Sequence, residues 1–277
     1  MSIEFPILDN HCHLDIDRGR GIAAVEDFSK SGGTHMIIVN QHSWKDGKNP
    51  KEMSDFEERF DQTIEITERA TEILQGRAWS VLGIHPGLIS RLVDSGYTVD
   101  EAGDFMCEGL DVAGKYISNG EGIAIKSGRP HYDVSEEIWE MSNSVLQHAI
   151  CVAAKENTAI QLHTESTENL STVARWANEA GLQPDRIVKH FSDGVCEGVI
   201  PSVISIKENL QSAAQRENLF LMETDYLDDM NRPGAVLGMK TVPKRTKWLV
   251  EMGYLESMKN AHVETPKIVY GIDTNEN

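Results

Sequence analysis

Two histidines separated by one residue close the first apolar run of the chain, in the phrase Asp-Asn-His-Cys-His-Leu at 9–14. On a β-strand, residues i and i+2 point to the same face. We therefore expect His11 and His13 to project side by side and Cys12 to turn to the opposite face, where it packs. Two imidazoles held in this way are a ready pair of ligands for zinc or a similar divalent ion.

Four later apolar runs each deliver a polar residue at or near the end of the run. His163 ends Ala-Ile-Gln-Leu-His, His190 ends Ile-Val-Lys-His, Asp225 ends Phe-Leu-Met-Glu-Thr-Asp, and Lys126 follows Gly-Ile-Ala-Ile. The period of two along a strand turns all four side chains to the inner face of a sheet. The same period puts Glu223 one layer below Asp225, where we expect it to orient another group.

Taken singly, each of these signals is weak. A histidine after an apolar run is more often structural, and an aspartate at a strand end is usually a helix cap or a turn former. The ordered set of six nitrogen and oxygen side chains changes this balance, because buried unpaired polar groups are costly and need a partner. Metal ions are the natural partner.

Strand-like and helix-like segments alternate eight times along the chain, which is typical of a parallel (β/α)8 barrel. The strand-like runs are 6–14, 34–40, 78–85, 122–128, 158–164, 186–192, 199–206 and 219–225. A doubly wound open sheet is the competing fold. We prefer the barrel because the count reaches eight, and because the carboxyl ends of eight such strands form the single ring where active sites lie. Without a Pro/Ser-rich linker, residues 1–277 form one predicted domain.

Helices are predicted between the runs, with Thr98 as the N-cap of the third. The predicted helices are 22–31, 51–74, 100–116, 135–154, 167–180, 208–216 and 246–260, with a short helix or turn at 193–198. Segments 41–51 and 90–100 are expected to be loops or short decorations on the barrel rim.

Composition and charge bound the class of protein. The 44 acidic and 26 basic residues give a formal charge of −18, which opposes binding to nucleic acid or anionic membranes without excluding a local basic patch. The sequence contains no run of 18 apolar residues, so we expect no membrane span. We also expect no secretory signal, because the first residues lack a basic segment followed by an apolar one. The four widely spaced cysteines include no CxxC pair, so we expect a reducing, cytoplasmic compartment.

The order HxH, Lys, His, His, Asp resembles the amidohydrolase superfamily, and the phrases around these residues resemble its TatD-like branch. The matching phrases are Asp-Asn-His-Cys-His-Leu-Asp, Gly-Ile-His-Pro-Gly, Gln-Leu-His-Thr, Lys-His-Phe-Ser and Leu-Met-Glu-Thr-Asp. Three more phrases, at 128–132, 232–238 and 241–246, resemble an archaeal-type subgroup of TatD-related hydrolases. The resemblance runs from residue 9 to about residue 272.

This resemblance implies a barrel that holds one or two divalent ions with a water or hydroxide between them. His11, His13 and Asp225 would hold the more buried ion, and His163 and His190 the more exposed one. Zinc is the expected metal, with magnesium or manganese as alternatives.

One position departs from the TatD-like pattern, which has a bridging glutamate on the fourth strand where this chain has Lys126. Glu121 lies five residues earlier, on the opposite face, and cannot replace that glutamate. A lysine at this position resembles the phosphotriesterase branch, in which it is carbamylated and bridges two metals. Because an ammonium beside two dications is repelled, three alternatives stay open: Lys126 is modified and bridges two ions, is neutral beside one ion, or replaces the second ion.

Five further residues are candidates for contacts with the substrate at the rim: His85, Arg129, His131, Tyr226 and Arg232. His85 resembles a TatD-like position that contacts substrate, while its alternative role is to cap the turn before Pro86. For the other four, the alternative is a structural or solvated side chain.

The resulting hypothesis is a metal-dependent hydrolase in which Asp225 accepts the proton of the attacking water and Lys126 or Arg129 helps to stabilise the oxyanion. The TatD-like resemblance suggests a phosphoester substrate, with a deoxyribonuclease acting on DNA ends as one form. The enzymatic alternative is hydrolysis of a small lactone, ester or amide, with carbamylated Lys126 bridging two metals. The non-enzymatic alternative is an inactive barrel that binds a ligand or partner, and the complete set of metal ligands argues against it.

Overall fold

The strands of the protein pair in parallel with their neighbours in sequence, as a computed structural model describes them for residues 3–44, 47–216, 218–232 and 236–276. They are β1 (Leu8–His13), β2 (His35–Val39), β3 (Ala78–Gly83), β4 (Ala124–Gly128), β5 (Ala159–His163), β6 (Ile187–Ser192), β7 (Ile200–Ile204), β8 (Leu221–Glu223) and β9 (Tyr226–Leu227). The order in the sheet is β8-β7-β6-β5-β4-β3-β2-β1-β9.

Strands β8 and β9 are the two halves of a single strand, the eighth of the barrel, which is interrupted at Thr224 and Asp225. The first half, β8, pairs with β7, and the second half, β9, pairs with β1. The sheet therefore curls round until its first and last strands meet. The prediction of a (β/α)8 barrel is confirmed, and the alternative of an open doubly wound sheet is wrong.

Helices cover the outside of this barrel. They are α1 (Ile22–Lys30), α2 (Met53–Thr71), α3 (Leu88–Asp94), α4 (Val99–Ser118), α5 (Glu136–Lys155), α6 (Ser171–Ala180), α7 (Lys207–Gln215), α8 (Thr241–Glu251), α9 (Leu255–Lys259) and α10 (Thr265–Tyr270). The described residues also include a 3-10 turn at Pro184–Arg186 and a π-helical turn at Asn260–Glu264. The predicted N-cap of α4 is confirmed, since the Thr98 hydroxyl accepts a hydrogen bond from the backbone N–H of Glu101. No helix in the described part of the chain has the length and apolar character needed to cross a bilayer.

Segment 193–198 contains no helix, in agreement with the predicted alternative of a turn. One predicted helix differs clearly from the structure. The last predicted helix, 246–260, begins five residues earlier at Thr241, because Pro243 lies in the first turn, where a missing N–H costs nothing. It also breaks near Gly253 into separate helices. Segment 90–100 contains most of α3, and segment 41–51 includes residues 45 and 46, which lie outside the described part.

The core has an inner and an outer layer, as the period of two predicts for a barrel. Leu8, Val81, Val188 and Leu221 fill the bottom of the barrel, and Tyr270 closes it. Outward residues of the strands pack against the helices, among them Ile125, Ile160 and Leu162. Cys12 lies in an outer cluster with Ala24 and Met36, which confirms that it packs away from the barrel interior.

A β-bulge in β1 aims the two histidines inward. Asp9 pairs with Met36 and Cys12 with Ile38, so β1 takes three steps where β2 takes two. One extra residue reverses the alternation of faces. As a result, Leu8 and the HxH pair both face the barrel interior, although strict alternation from Leu8 would turn His11 outward.

Candidate metal centre

Seven of the ten histidines gather at the carboxyl ends of the strands. Their rings form a continuous series of contacts that joins His11, His13, His42, His85, His131, His163 and His190. A barrel mouth lined by imidazoles is a setting for transition-metal ions, for which histidine is the commonest nitrogen ligand.

Hydrogen bonds fix the tautomers of the HxH pair. His11 Nδ1 lies 2.7 Å from Gln161 Oε1, and His13 Nδ1 lies 2.8 Å from the carbonyl oxygen of Val39. The amide nitrogen of Gln161 donates to the carbonyl of Asn10, so its oxygen faces His11. Both acceptors are oxygens, and both Nδ1 atoms therefore carry the proton. The unprotonated Nε2 atoms are left facing each other 3.2 Å apart.

Asp225 brings a carboxylate to the same point. Its Oδ1 lies 3.8 Å from His11 Nε2 and 3.9 Å from His13 Nε2. The residue has a φ of 46°, a left-handed conformation that aspartate tolerates better than most residues, and its N–H donates to the carbonyl of His11. Ligand atoms around a zinc ion lie about 3–3.5 Å apart. The donor types and spacing of these three side chains therefore fit a divalent ion after small shifts.

His190 is oriented by a buried carboxylate one layer below Asp225. Glu223 Oε1 accepts hydrogen bonds from His190 Nδ1 at 3.0 Å and from the backbone N–H of Phe191 at 2.7 Å. The His190 ring stacks on that of His11 with centroids 3.9 Å apart, and its Nε2 points toward His163. Glu223 could also join His11 and His190 as a ligand, but its engaged oxygen suits the orienting role better.

His163 lies in a row of hydrogen-bonded side chains rather than beside the HxH pair. Its Nδ1 is 3.0 Å from His190 Nε2, and its Nε2 is 2.9 Å from His131 Nδ1. Among the described residues, His163 belongs to neither of the two groups of three ligands whose atoms converge. The two histidines predicted to hold a second ion are therefore adjacent, but no third ligand from the described residues converges with them.

Lys126 reaches into the centre of this arrangement. The residue is 3% exposed, and its Nζ lies 3.4 Å from His13 Nε2. Burial lowers the pKa of its ammonium to about 8, although the negative charges of Asp225 and Glu223 act to raise it. An ammonium here donates to the lone pair that an ion at His13 would use. Ion binding therefore requires Lys126 to move or to lose its charge.

Burial also sets the charge of the ligands. It lowers the pKa of His11 and His13 well below the usual value, with help from neighbouring cationic groups. It raises the pKa of Asp225 to about 6. Above that pH the site combines neutral imidazoles with a carboxylate, which is the ionisation state that metal binding requires.

Two of the predicted rim residues contact the histidine cluster. His85 Nδ1 accepts the N–H of Gly87, as in the turn-capping role, while its ring packs against those of His42 and His163. His131 is exposed and touches His163.

The other three rim candidates lie further from the cluster or are engaged elsewhere. The Arg129 guanidinium binds Glu165 and lies over the Trp139 ring. Tyr226 donates to Asp228 and packs in the outer cluster, so the structure does not bring it to the site. Arg232 is exposed, and its charge is a minor contribution to the low pKa of His42, which burial dominates. Residues 233–235 of the phrase at 232–238 lie outside the described part.

Sequence reasoning missed His42. It lies two residues after the predicted strand 34–40, and its ring is 4.5 Å from that of His85 and 6.5 Å from that of His13. The available signal was a histidine just beyond the end of a strand-like run, the pattern that identified the other sites.

A cavity of about 610 Å³ opens beside the histidines. One side is formed by His131, His163, His190 and Asp225. The cavity extends along the ends of β6 and β7, over the loops that follow β5, β6 and β7, and to the start of α7. Its further lining residues are Thr164, Ser166, Thr167, Glu168, Lys189, Phe191, Ser192, Asp193, Ile204, Ile206 and Asn209. This volume suits a small molecule or the end of a polymer.

Solved structures with the same fold are lactonases and organophosphorus hydrolases. A lactonase of Listeria monocytogenes is 10% identical with a TM-score of 0.62, covering 97% of this chain and 95% of its own. An organophosphorus hydrolase of Deinococcus radiodurans is 13% identical with a TM-score of 0.59, covering 97% and 93%. At these identities the similarity concerns the fold alone.

Two sequence comparisons concern the family. An uncharacterized protein of Methanocaldococcus jannaschii is 33% identical over 281 residues, covering 97% of this chain and 96% of the relative. The family model described as TatD related DNase matches residues 8–271. The chain therefore belongs to the TatD-related DNase family and is a metal-dependent hydrolase of the amidohydrolase type.

Proposed function

We propose that the protein hydrolyses a phosphoester in a small molecule or at a nucleic-acid end, using a divalent ion held by His11, His13 and Asp225. The observation that carries this proposal is the convergence of two imidazole lone pairs and one carboxylate oxygen on a single point. Zinc is the proposed metal, because histidine nitrogen with one carboxylate is a ligand set typical of catalytic zinc.

An ion in this position would supply a Lewis acid that brings the pKa of water toward neutrality and polarises the bond to be cleaved. The protein supplies the remaining groups. Asp225 accepts the proton of the attacking water and returns it to the leaving group. Glu223 holds His190 through Nδ1, and the buried imidazoles of His11 and His13 stay neutral.

The charges around the cavity favour a small substrate or a strand end over the middle of a duplex. Lys189 is the single lysine or arginine among the lining residues of this cavity, against Glu168, Asp193 and Asp225. The formal charge of −18 adds long-range repulsion. Proteins that hold long nucleic acids use a continuous positive groove to track the backbone.

A second candidate function is hydrolysis of a lactone, ester or amide by a site in which carbamylated Lys126 bridges two ions. The buried Lys126 beside His13 favours it. So do Phe191 and Ile206, which line the cavity with half-exposed apolar side chains. These would suit the apolar part of such a substrate.

Parallel assays of the purified chain test both functions. The chain is supplied with Zn²⁺, Mn²⁺ or Mg²⁺ and incubated with end-labelled DNA, a phosphodiester and phosphomonoester set, and a lactone, ester and amide set. The phosphoester proposal expects metal-dependent turnover of a phosphoester that Asp225→Asn loses. Turnover confined to carbonyl substrates supports the second function. Bound metal with no turnover of any substrate contradicts both and favours a barrel that only binds.

A further inference from the structure

One lysine beside the proposed site is buried, and among the described residues no side chain pairs with its ammonium. Lys189 follows Val188 on β6, is 4% exposed and lines the cavity. Within the described part of the chain, no hydrogen bond or ion pair involves its ammonium, although a buried charge without a partner is costly. Because the ammonium is open to the cavity, it can pair with an anion that enters there.

A buried hydroxyl group lies beside it. Ser192 lies three residues further along β6, past a bulge in which β6 takes three steps where β7 takes two, so the two residues can share a face. Ser192 is 1% exposed, and its Oγ accepts the backbone N–H of Gly194. Among the described residues no acceptor takes the hydroxyl hydrogen of Ser192. The hydroxyl can therefore donate to a ligand in the cavity, which Ser192 also lines.

The amino end of α7 faces the same part of the cavity. Ile206 and Asn209 are lining residues, and the N-cap position, Ile206, offers no side-chain acceptor. The first intrahelical bond runs from Leu210 N–H to the Ile206 carbonyl. The N–H groups of the first turn are thus left without intrahelical partners, and such groups attract anions.

Three carboxylates line the cavity as well, those of Glu168, Asp193 and Asp225. In the described part of the chain, none of them forms an ion pair with Lys189. The buried carboxylate of Glu223 directs one oxygen to His190 and Phe191, and the charge of Lys189 acts on its pKa without a hydrogen bond between the two groups. The positive charge of Lys189 therefore remains available to a ligand.

We propose that Lys189, Ser192 and the amino end of α7 form a subsite that binds an anionic oxygen group of the substrate, a phosphate or a carboxylate. The subsite shares one cavity with His163, His190 and Asp225. The substrate class is therefore a molecule with an anionic group placed beside the bond that is cleaved. The orientation of the substrate in this inference rests on the proposed function, whereas anion binding at the subsite does not depend on turnover.

Calorimetric titration of the full-length, zinc-loaded chain with inorganic phosphate, and separately with acetate, tests the subsite. At least one of the two anions should bind to the wild type, and the surface variant Lys155→Met should bind that anion with the same affinity. Lys189→Met should weaken that binding about 10- to 100-fold, because a charge-assisted contact is lost, and Lys189→Arg should restore most of it. Tighter binding of phosphate or of acetate identifies the anionic group.

Equal affinity in Lys189→Met and wild type overturns the proposal, as does the absence of binding of either anion by the wild type. If Lys189→Met does not fold by circular dichroism, Lys189→Gln and Ser192→Ala carry the same comparison. Asp225→Asn separates this inference from the proposed function, since it should lose hydrolysis but retain Lys189-dependent anion binding. Turnover without such binding leaves the hydrolase and removes the subsite.

Discussion

The Nε2 atoms of His11 and His13 lie 3.2 Å apart, and the Nδ1 of each ring donates its proton to an oxygen. Two lone pairs this close repel each other unless a cation lies between them or beside them. The cation at hand in the protein is the ammonium of Lys126, 3.4 Å from His13 Nε2. Whether a metal ion displaces that ammonium is the question on which the chemistry of the site depends.

Asp225→Asn should lower kcat by about 100- to 10,000-fold, because the amide cannot accept the proton of the attacking water. The fold should persist, since asparagine also tolerates the left-handed backbone at φ 46°. Because burial raises the pKa of Asp225 to about 6, wild-type activity should fall as the pH drops through that value. A kcat within a few-fold of wild type, at an unchanged melting temperature, would remove Asp225 from the mechanism.

Lys126 should take up carbon dioxide if it bridges two ions. Its neutral amine attacks the carbon of CO₂, a nitrogen–carbon bond forms and one N–H proton leaves. The neutral form increases as pH rises through the pKa of about 8, which burial lowers from the usual value. Incubation with ¹³C-bicarbonate above that pH should therefore give a carbamate signal that Lys126→Met lacks. Identical spectra for the two proteins would exclude the carbamate and leave the neutral or charge-replacing lysine.

Gly128→Ala should destabilise the protein by about 3 kcal/mol or more and disturb His163, because an added Cβ would collide with the His163 carbonyl oxygen. That collision is with backbone in a neighbouring strand, so no side-chain rotation relieves it. Gly238→Ala is the control, since its Cβ would meet open space. Equal melting temperatures for the two variants would refute this close approach of β4 to β5.

His262 should make stability sensitive to acid. It is buried with Nδ1 accepting the Leu8 N–H and Nε2 donating to the Thr246 hydroxyl, and burial lowers its pKa to about 3. The unfolded chain takes up this proton near pH 6.5, so the stabilisation is complete above that pH and is lost as pH falls toward the folded pKa. The difference in unfolding free energy between wild type and His262→Asn should narrow by about 2 kcal/mol from pH 7 to pH 5.

Urea denaturation at several pH values measures this difference. His148→Asn is the control, because His148 lies at the surface beside Asp111. A difference between wild type and His262→Asn that stays constant with pH, or that changes equally for His148→Asn, would contradict the assignment of the acid sensitivity to His262.

The fold and most of the residues at the barrel mouth were predictable because one rule, the period of two along a strand, acts locally. The rule placed Cys12 outside and the strand-end residues at one rim. It could not reveal the bulge in β1, since an extra residue is recognised only from the pairing with β2. The left-handed backbone of Asp225 and the ring contacts of His42 likewise depend on neighbouring strands and loops.

Tyr226 shows the converse limit. It was predicted to contact the substrate at the rim, but the interruption of the last strand turns it into the outer cluster. Lys189 was hidden for a similar reason. Alternation directs it away from the barrel interior, and only the loops after β5 and β7 enclose it in the cavity.

Equilibrium dialysis against Zn²⁺, followed by elemental analysis, tests the central claim most directly. The wild type should retain about one or two ions per chain, and the double variant His11→Asn, His13→Asn should retain less than about 0.1 while staying folded. His148→Asn should bind as the wild type does. Wild-type protein that holds less than about 0.1 ion per chain would contradict a metal-dependent hydrolase at this site.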